Sequence, residues 1–118
     1  MIEGEVDARG IPIIQLKIGK RTWTAIVDTG FSGDLELPDD LKSEVDPQFI
    51  GEVRSFLGGG QVIVEDSFEV RLSFDGRIVS AEATFVPGFE ILLGTRFLRR
   101  YRLEIDFPKG TVSLKRSR

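Results

Sequence analysis

The sequence contains no cysteine and no histidine. Without cysteine there is no thiol nucleophile, no disulfide and no thiolate metal site. Without histidine, Ser-His and Cys-His nucleophilic catalysis is excluded, along with the common zinc sites. Acid–base chemistry near neutral or acid pH then falls to carboxylates. Aromatic residues other than phenylalanine are scarce: one Trp and one Tyr against nine Phe. The formal net charge is −3. A nucleic-acid-binding barrel needs a basic face with exposed aromatics, so no nucleic-acid partner is expected. There is no run of about 18 apolar residues and no basic-then-apolar leader, so no membrane partner is expected and the expected compartment is the cytoplasm. Neither a Gly-x-x-x-x-Gly-Lys-Ser/Thr loop nor a Gly-x-Gly-x-x-Gly after a strand is present. No nucleotide, other cofactor or metal is expected.

What remains is a globular composition, 41% apolar and 30% charged over 118 residues. That length predicts a single domain over 1–118 with a modest core. Short runs with period-two alternation dominate, as expected for strands. Ile2–Val6 alternates, and 11–18 places Ile14, Leu16 and Ile18 on one face. Gly19-Lys20 signals a hairpin into Arg21–Val27, and 34–37 is a short strand stopped by Pro38. A turn or two of helix is expected over 38–45. Strands are expected over 51–57 and 61–74, joined by Gly58, Gly59 and Gly60. Three glycines in a row suit either an ordinary mobile loop or a flap over a site. Asp75-Gly76 turns into Arg77–Val86. Ile91-Leu92-Leu93-Gly94 suits a strand buried on both faces. A short helix is expected over 95–101, with Phe97 and Leu98 facing inward. A final pair of strands over 102–107 and 111–115 completes a mostly β architecture, a small closed barrel with one or two short helices.

The chemically distinctive stretch is Ala25-Ile26-Val27-Asp28-Thr29-Gly30-Phe31-Ser32-Gly33. An apolar strand delivers one carboxylate to a glycine-containing loop, and Gly30 is expected to let the backbone turn tightly. Asp28 is then placed in a backbone-rich setting where its protonation can be tuned. Asp-Thr-Gly alone is a weak signal, since chance supplies it in about one chain in thirty of this length at average residue usage. Its context adds weight. About sixty residues later stands Ile91-Leu92-Leu93-Gly94, with the glycine-rich hairpin between.

Together these features resemble the retropepsin-like aspartic proteases, the single-domain relatives of pepsin. They are more closely similar to the stand-alone prokaryotic members, which often read Val-Asp-Thr-Gly-Phe-x-Gly. The resemblance runs from Ile11 to Val112 and includes Ile105-Asp106-Phe107 with Gly110 and Val112. It implies a mostly β retropepsin fold and an aspartic endopeptidase acting on extended, largely apolar segments of a peptide or unfolded protein. Catalysis needs two carboxylates close enough to share a proton, one acting as base and the other as acid. The sequence has a single Asp-Thr-Gly, so the second carboxylate is expected from Asp28 of the partner subunit in a twofold homodimer. The resemblance assigns Asp28, Thr29 and Gly30 to the catalytic loop, with Thr29 locking the two loops together and Gly30 offering its carbonyl to substrate. Phe56, Leu57, Gly58, Gly59 and Gly60 become the flap, and Phe31 and Leu92 substrate-binding residues. Leu93 reads better as core.

The sequence departs from the retroviral pattern of Ala after the glycine and then Asp, paired with an Arg directly after the second glycine. Phe31, Ser32 and Thr95 occupy those places, so both halves of the ion pair are absent together. Arg96 stands one position along, and its role is open. Phe31 either crowds the loop or fills a subsite. The terminal hairpin expected over 103–114 implies a dimer contact unlike the interleaved retroviral termini. The competing reading is a non-catalytic peptide-binding or assembly domain on the same fold.

Overall fold

A computed structural model of the chain describes residues 1–117. Ten strands and one short 3-10 helix make up its regular structure: β1 (Ile2–Val6), β2 (Pro12–Ile18), β3 (Arg21–Val27), β4 (Leu35–Pro38), the helix Asp39–Leu41, β5 (Gln48–Phe56), β6 (Val62–Phe74), β7 (Arg77–Val86), β8 (Glu90–Leu93), β9 (Tyr101–Asp106) and β10 (Thr111–Arg116). The strands form one ladder in the order β5-β6-β7-β4-β8-β3-β2-β1-β10-β9. The ladder is open at β5 and β9, so the mostly β fold is the expected one without a closed hydrogen-bonded ring. The sheet instead curls until β2 packs against β6.

Alternation explains most of these strands. Ile14, Leu16 and Ile18 of β2 are all buried, as are Trp23, Ala25 and Val27 of β3. Gly19 takes φ +64 at the hairpin between them. Asp75 and Gly76, at φ +53 and +78, make the tight β6–β7 turn whose left-handed backbone only such residues adopt readily. The core gathers Ile14, Leu35, Leu37, Phe74, Ile91, Leu93 and Leu114. Full burial of each such side chain stabilises by about 1.5–3 kcal/mol.

Three local expectations are corrected. Residues 95–100 form successive turns rather than a helix. Among the backbone bonds of this stretch, Leu98 N–H to Gly94 O at 3.2 Å spans a helical turn, while Tyr101 N–H to Leu98 O at 2.8 Å is a tighter closure. Six residues between two anchored strands cannot repay helix nucleation. Phe97 and Leu98 nevertheless pack inward, Phe97 edge-on to Phe74 at 4.9 Å. β5 begins at Gln48, before the position expected, because Phe49 already pairs with Phe68 across the hairpin. In β8 only Ile91 and Leu93 are fully buried, and Leu92 is half-buried. The terminal β9–β10 hairpin forms as expected and pairs with β1 of the same chain. No helix among the described residues is long and apolar enough to cross a membrane.

Candidate active site

Asp28 follows β3 directly, and backbone hydrogen bonds fix it on three sides. Its N–H donates to the Leu93 carbonyl at 3.0 Å, and its carbonyl accepts from Phe31 N–H at 3.1 Å. Its carboxylate Oδ1 accepts from Gly30 N–H at 3.0 Å. This is an Asx-type turn, which uses a side chain to satisfy a loop donor. The half-buried carboxylate is thereby held in one orientation, while Thr29 and Gly30 are exposed beside it.

The steric need for glycine lies elsewhere than expected. A Cβ on Gly30 meets only Asp28 Oδ1, at an ordinary 3.4 Å. A Cβ on Gly94, by contrast, collides with the Gly33 carbonyl and stands 2.9 Å from the Phe31 ring. Around this close approach the two loops are stitched together. Gly94 N–H donates to Asp34 O and Thr95 N–H to Phe31 O, both at 2.8 Å. Phe31 both packs the loop and faces outward: its ring lies over Gly33 and Gly94, and it forms part of the wall of the adjacent cavity.

The question of Arg96 is answered by Asp34. Asp34 is 9% exposed, and its Oδ2 accepts from Glu82 N–H at 2.9 Å. Its Oδ1 meets no hydrogen-bond donor, with Arg96 Nε 3.8 Å away. Arg96 also reaches the Glu82 carboxylate at 3.2 Å. Arg96 thus lies between two carboxylates, Asp34 and Glu82.

The pairing of β3, β8, β4 and β7 creates two side-chain rows. Val27, Leu93, Leu35 and Ala83 are in register and fully buried. One residue over, on the opposite face, Ile26, Leu92, Glu36 and Thr84 are in register and all half-buried. Residues directly opposite on paired strands share a face, so this second row is a continuous floor running beside Asp28. Leu93 is thus core, as expected, and Leu92 belongs to the floor.

The β5–β6 hairpin is the roof. Its tip, with Phe56 at 81% exposure and Gly58, Gly59 and Gly60 all exposed, projects into solvent. Its arm instead lines a cavity of about 280 Å³ through Val53, Ser55, Glu65 and Ser67, with Phe31, Glu36 and Thr84 below. The expected tip residues and Leu92 are not in that wall, and neither is Asp28, which lies just before it in the chain. Sequence reasoning missed Glu36 and Glu65. Their signal was alternation: Leu35 and Leu37 point to the core, so Glu36 points away from it. A larger cavity of about 400 Å³ lies on the far side of Asp34, among Arg96, Arg99, Arg100 and Tyr101, away from Asp28.

Burial pushes the Glu36 carboxyl above its ordinary value, and the charges of Glu65 and Asp28 push it the same way. No three metal-ligating side chains converge among the described residues.

No protein-family profile and no curated protein matches this sequence. Solved structures do. The fold is retropepsin-like. A retropepsin-like aspartic protease from Rickettsia conorii aligns with a TM-score of 0.62 at 17% identity, over 96% of this chain and 88% of that one. The simian foamy virus (mac) protease aligns with a TM-score of 0.56 at 21% identity, over 74% and 91%. The foamy viral protease-reverse transcriptase, solved with an RNA/DNA hybrid, aligns with a TM-score of 0.61 at 21% identity, and this chain spans 13% of its length.

Proposed function

We propose that residues 1–118 are one domain and one half of a homodimeric aspartic endopeptidase. The observation that carries this is the placement of Asp28: an oriented carboxylate at the head of a half-buried floor, with a cavity roofed by a hairpin arm further along at Glu36 and Thr84. The likeness of the fold to retropepsin-like proteases supports the same reading. A peptide lies extended along the floor row, between Ile26 and Leu92 below and the hairpin above. The hairpin tip, with its exposed Phe56 and Leu57, closes on it and excludes water.

Asp28 faces Asp28 of the partner subunit across a twofold axis, and the pair shares one proton. The ionised carboxylate takes a proton from water as the water oxygen bonds to the scissile carbonyl carbon. The protonated one gives its proton to the carbonyl oxygen. The tetrahedral intermediate then collapses, the C–N bond breaks and the amine leaves with a proton returned through the dyad. Thr29, exposed beside Asp28, hydrogen-bonds across the axis and fixes the two loops. A single subunit is inactive, because it holds half of the dyad.

A peptide carrying a tetrahedral mimic of the hydrated carbonyl tests this reading. It is expected to bind wild type at one mimic per two chains, and to bind Asp28→Asn far more weakly. One mimic per chain, or equal binding to both proteins, would contradict it.

A further inference from the structure

The cavity beside Asp28 carries an excess of negative charge. Four carboxylates line it, Asp34, Glu36, Glu65 and Glu82, against one guanidinium, Arg54. Arg54 is exposed on β5 between the half-buried Val53 and Ser55, so alternation turns its side chain to the outside of the hairpin. Glu82 and Asp34 share Arg96. Glu36 and Glu65 have no ion-pair partner among the described residues.

The two unpaired glutamates come from opposite sides. Glu36 rises from the floor, in register between Leu92 and Thr84. Glu65 hangs from the roof, paired with Val53. Asp34, nine-tenths buried, also borders this cavity, but its donor-free Oδ1 lies 3.8 Å from Arg96 Nε, and Arg96 lines the other cavity. Ser67, at 5% exposure, adds a hydroxyl to the wall. At about 280 Å³ the space is slightly below the range of drug-sized ligand pockets, about 300–1,000 Å³, and suits one long side chain. No three of these acids are placed to hold a metal ion, so an organic cation is the better occupant.

On the protease reading above, we infer that this cavity is a specificity subsite for a lysine or arginine side chain of the substrate, held between Glu36 and Glu65. The expected preference for apolar segments is thereby modified. Ile26 and Leu92 offer apolar contact along the floor, but one fixed position relative to the cut carries a positive charge. A cation entering between floor and roof relieves the repulsion between the two glutamates. The pair forms partly shielded from water, where charge attraction is stronger than on an open surface.

The test uses extended peptides that carry Lys, Arg, Glu or norleucine at each position in turn. They are presented to wild type for cleavage and to Asp28→Asn for retention. At one position relative to the cut, Lys and Arg are expected to exceed norleucine by about tenfold in kcat/KM, equivalent to about 1.4 kcal/mol. The Glu36→Gln/Glu65→Gln protein, checked for folding by the emission of Trp23, is expected to bring that ratio close to one. Added salt is expected to lower the wild-type ratio. Asp28-dependent cleavage with no cationic preference, or with a preference that survives both substitutions, overturns the subsite and leaves the protease reading intact. Retention of Lys peptides over norleucine peptides by Asp28→Asn, lost with both glutamates and accompanied by no wild-type cleavage, keeps the subsite and overturns the protease reading. No preference in either assay overturns the subsite.

Discussion

Gly94 lies so close to Gly33 that a methyl group on Gly94 falls inside the Gly33 carbonyl, with the Phe31 ring blocking the other side. The obstructing atoms are backbone, so the loop cannot yield by a rotamer change. Gly94→Ala is therefore expected to cost about 1–3 kcal/mol, the usual range for overpacking. It should also displace the Asp28 loop, because Gly94 N–H and Thr95 N–H anchor Asp34 and Phe31. Chemical denaturation followed by Trp23 emission measures the loss. An unchanged stability would mean that the two loops are not packed as described.

The Asp34 and Arg96 pair should be unequal in its two halves. Asp34→Ala leaves the part-buried Glu82 N–H without its acceptor, a loss of about 1–3 kcal/mol. Arg96→Ala removes a half-exposed guanidinium 3.8 Å from its partner, a loss of about 1 kcal/mol or less. Urea denaturation of both variants checks the order, and an equal or reversed order contradicts the geometry.

These relationships mark the limit of what alternation reveals. Three strands, β1, β3 and β7, have the bounds that alternation predicts, because each has one face less exposed than the other and the period is local. The Asp28 loop was equally legible, since Asp-Thr-Gly after an apolar strand is a contiguous signal. The insertion of β4 between β7 and β8 was not legible, because it pairs Leu35 with both Ala83 and Leu93, 48 and 58 positions away. Asp34 meeting Arg96, and Glu36 facing Glu65, depend on that insertion. The expected helix over 95–101 failed for a related reason. Gly94 N–H and Thr95 N–H tie the start of this stretch to the distant Asp28 loop, and the six residues left before β9 are too few to repay helix nucleation.

Glu36 gives stability a pH dependence. A carboxyl whose value is raised on folding binds its proton more tightly in the folded state. Its contribution is fully present below the ordinary value of 4.5 and is lost as pH rises through the raised value. Above that window the ionised Glu36 opposes Glu65 and Asp28. Glu36→Gln is expected to melt above wild type at neutral pH, with the difference closing as pH falls below 4.5. Melting curves across that range check the sign. A variant less stable than wild type at neutral pH would mean that Glu36 has a cationic partner.

The proposed sharing of the dyad predicts that inactive subunits are poisonous. Adding Asp28→Asn in excess to a fixed amount of wild type should convert active dimers into mixed pairs with one carboxylate. At threefold excess and free exchange, about one quarter of the wild-type subunits keep a wild-type partner, so activity should fall to about that fraction. Activity that is unaffected after subunit exchange has been demonstrated would place a complete site within one chain.

The central claim is that Asp28 makes this chain a peptidase. The most direct measurement is the cleavage of an unbiased peptide library by wild type and Asp28→Asn, side by side, from mildly acidic to neutral pH and at high protein concentration. The Asn side chain keeps an oxygen for Gly30 N–H, so the loop is retained while the acid–base group is lost. The account predicts cuts in wild type that fall by about 10²–10⁴-fold in the variant. Equal cleavage by both proteins, or none by either, would contradict it.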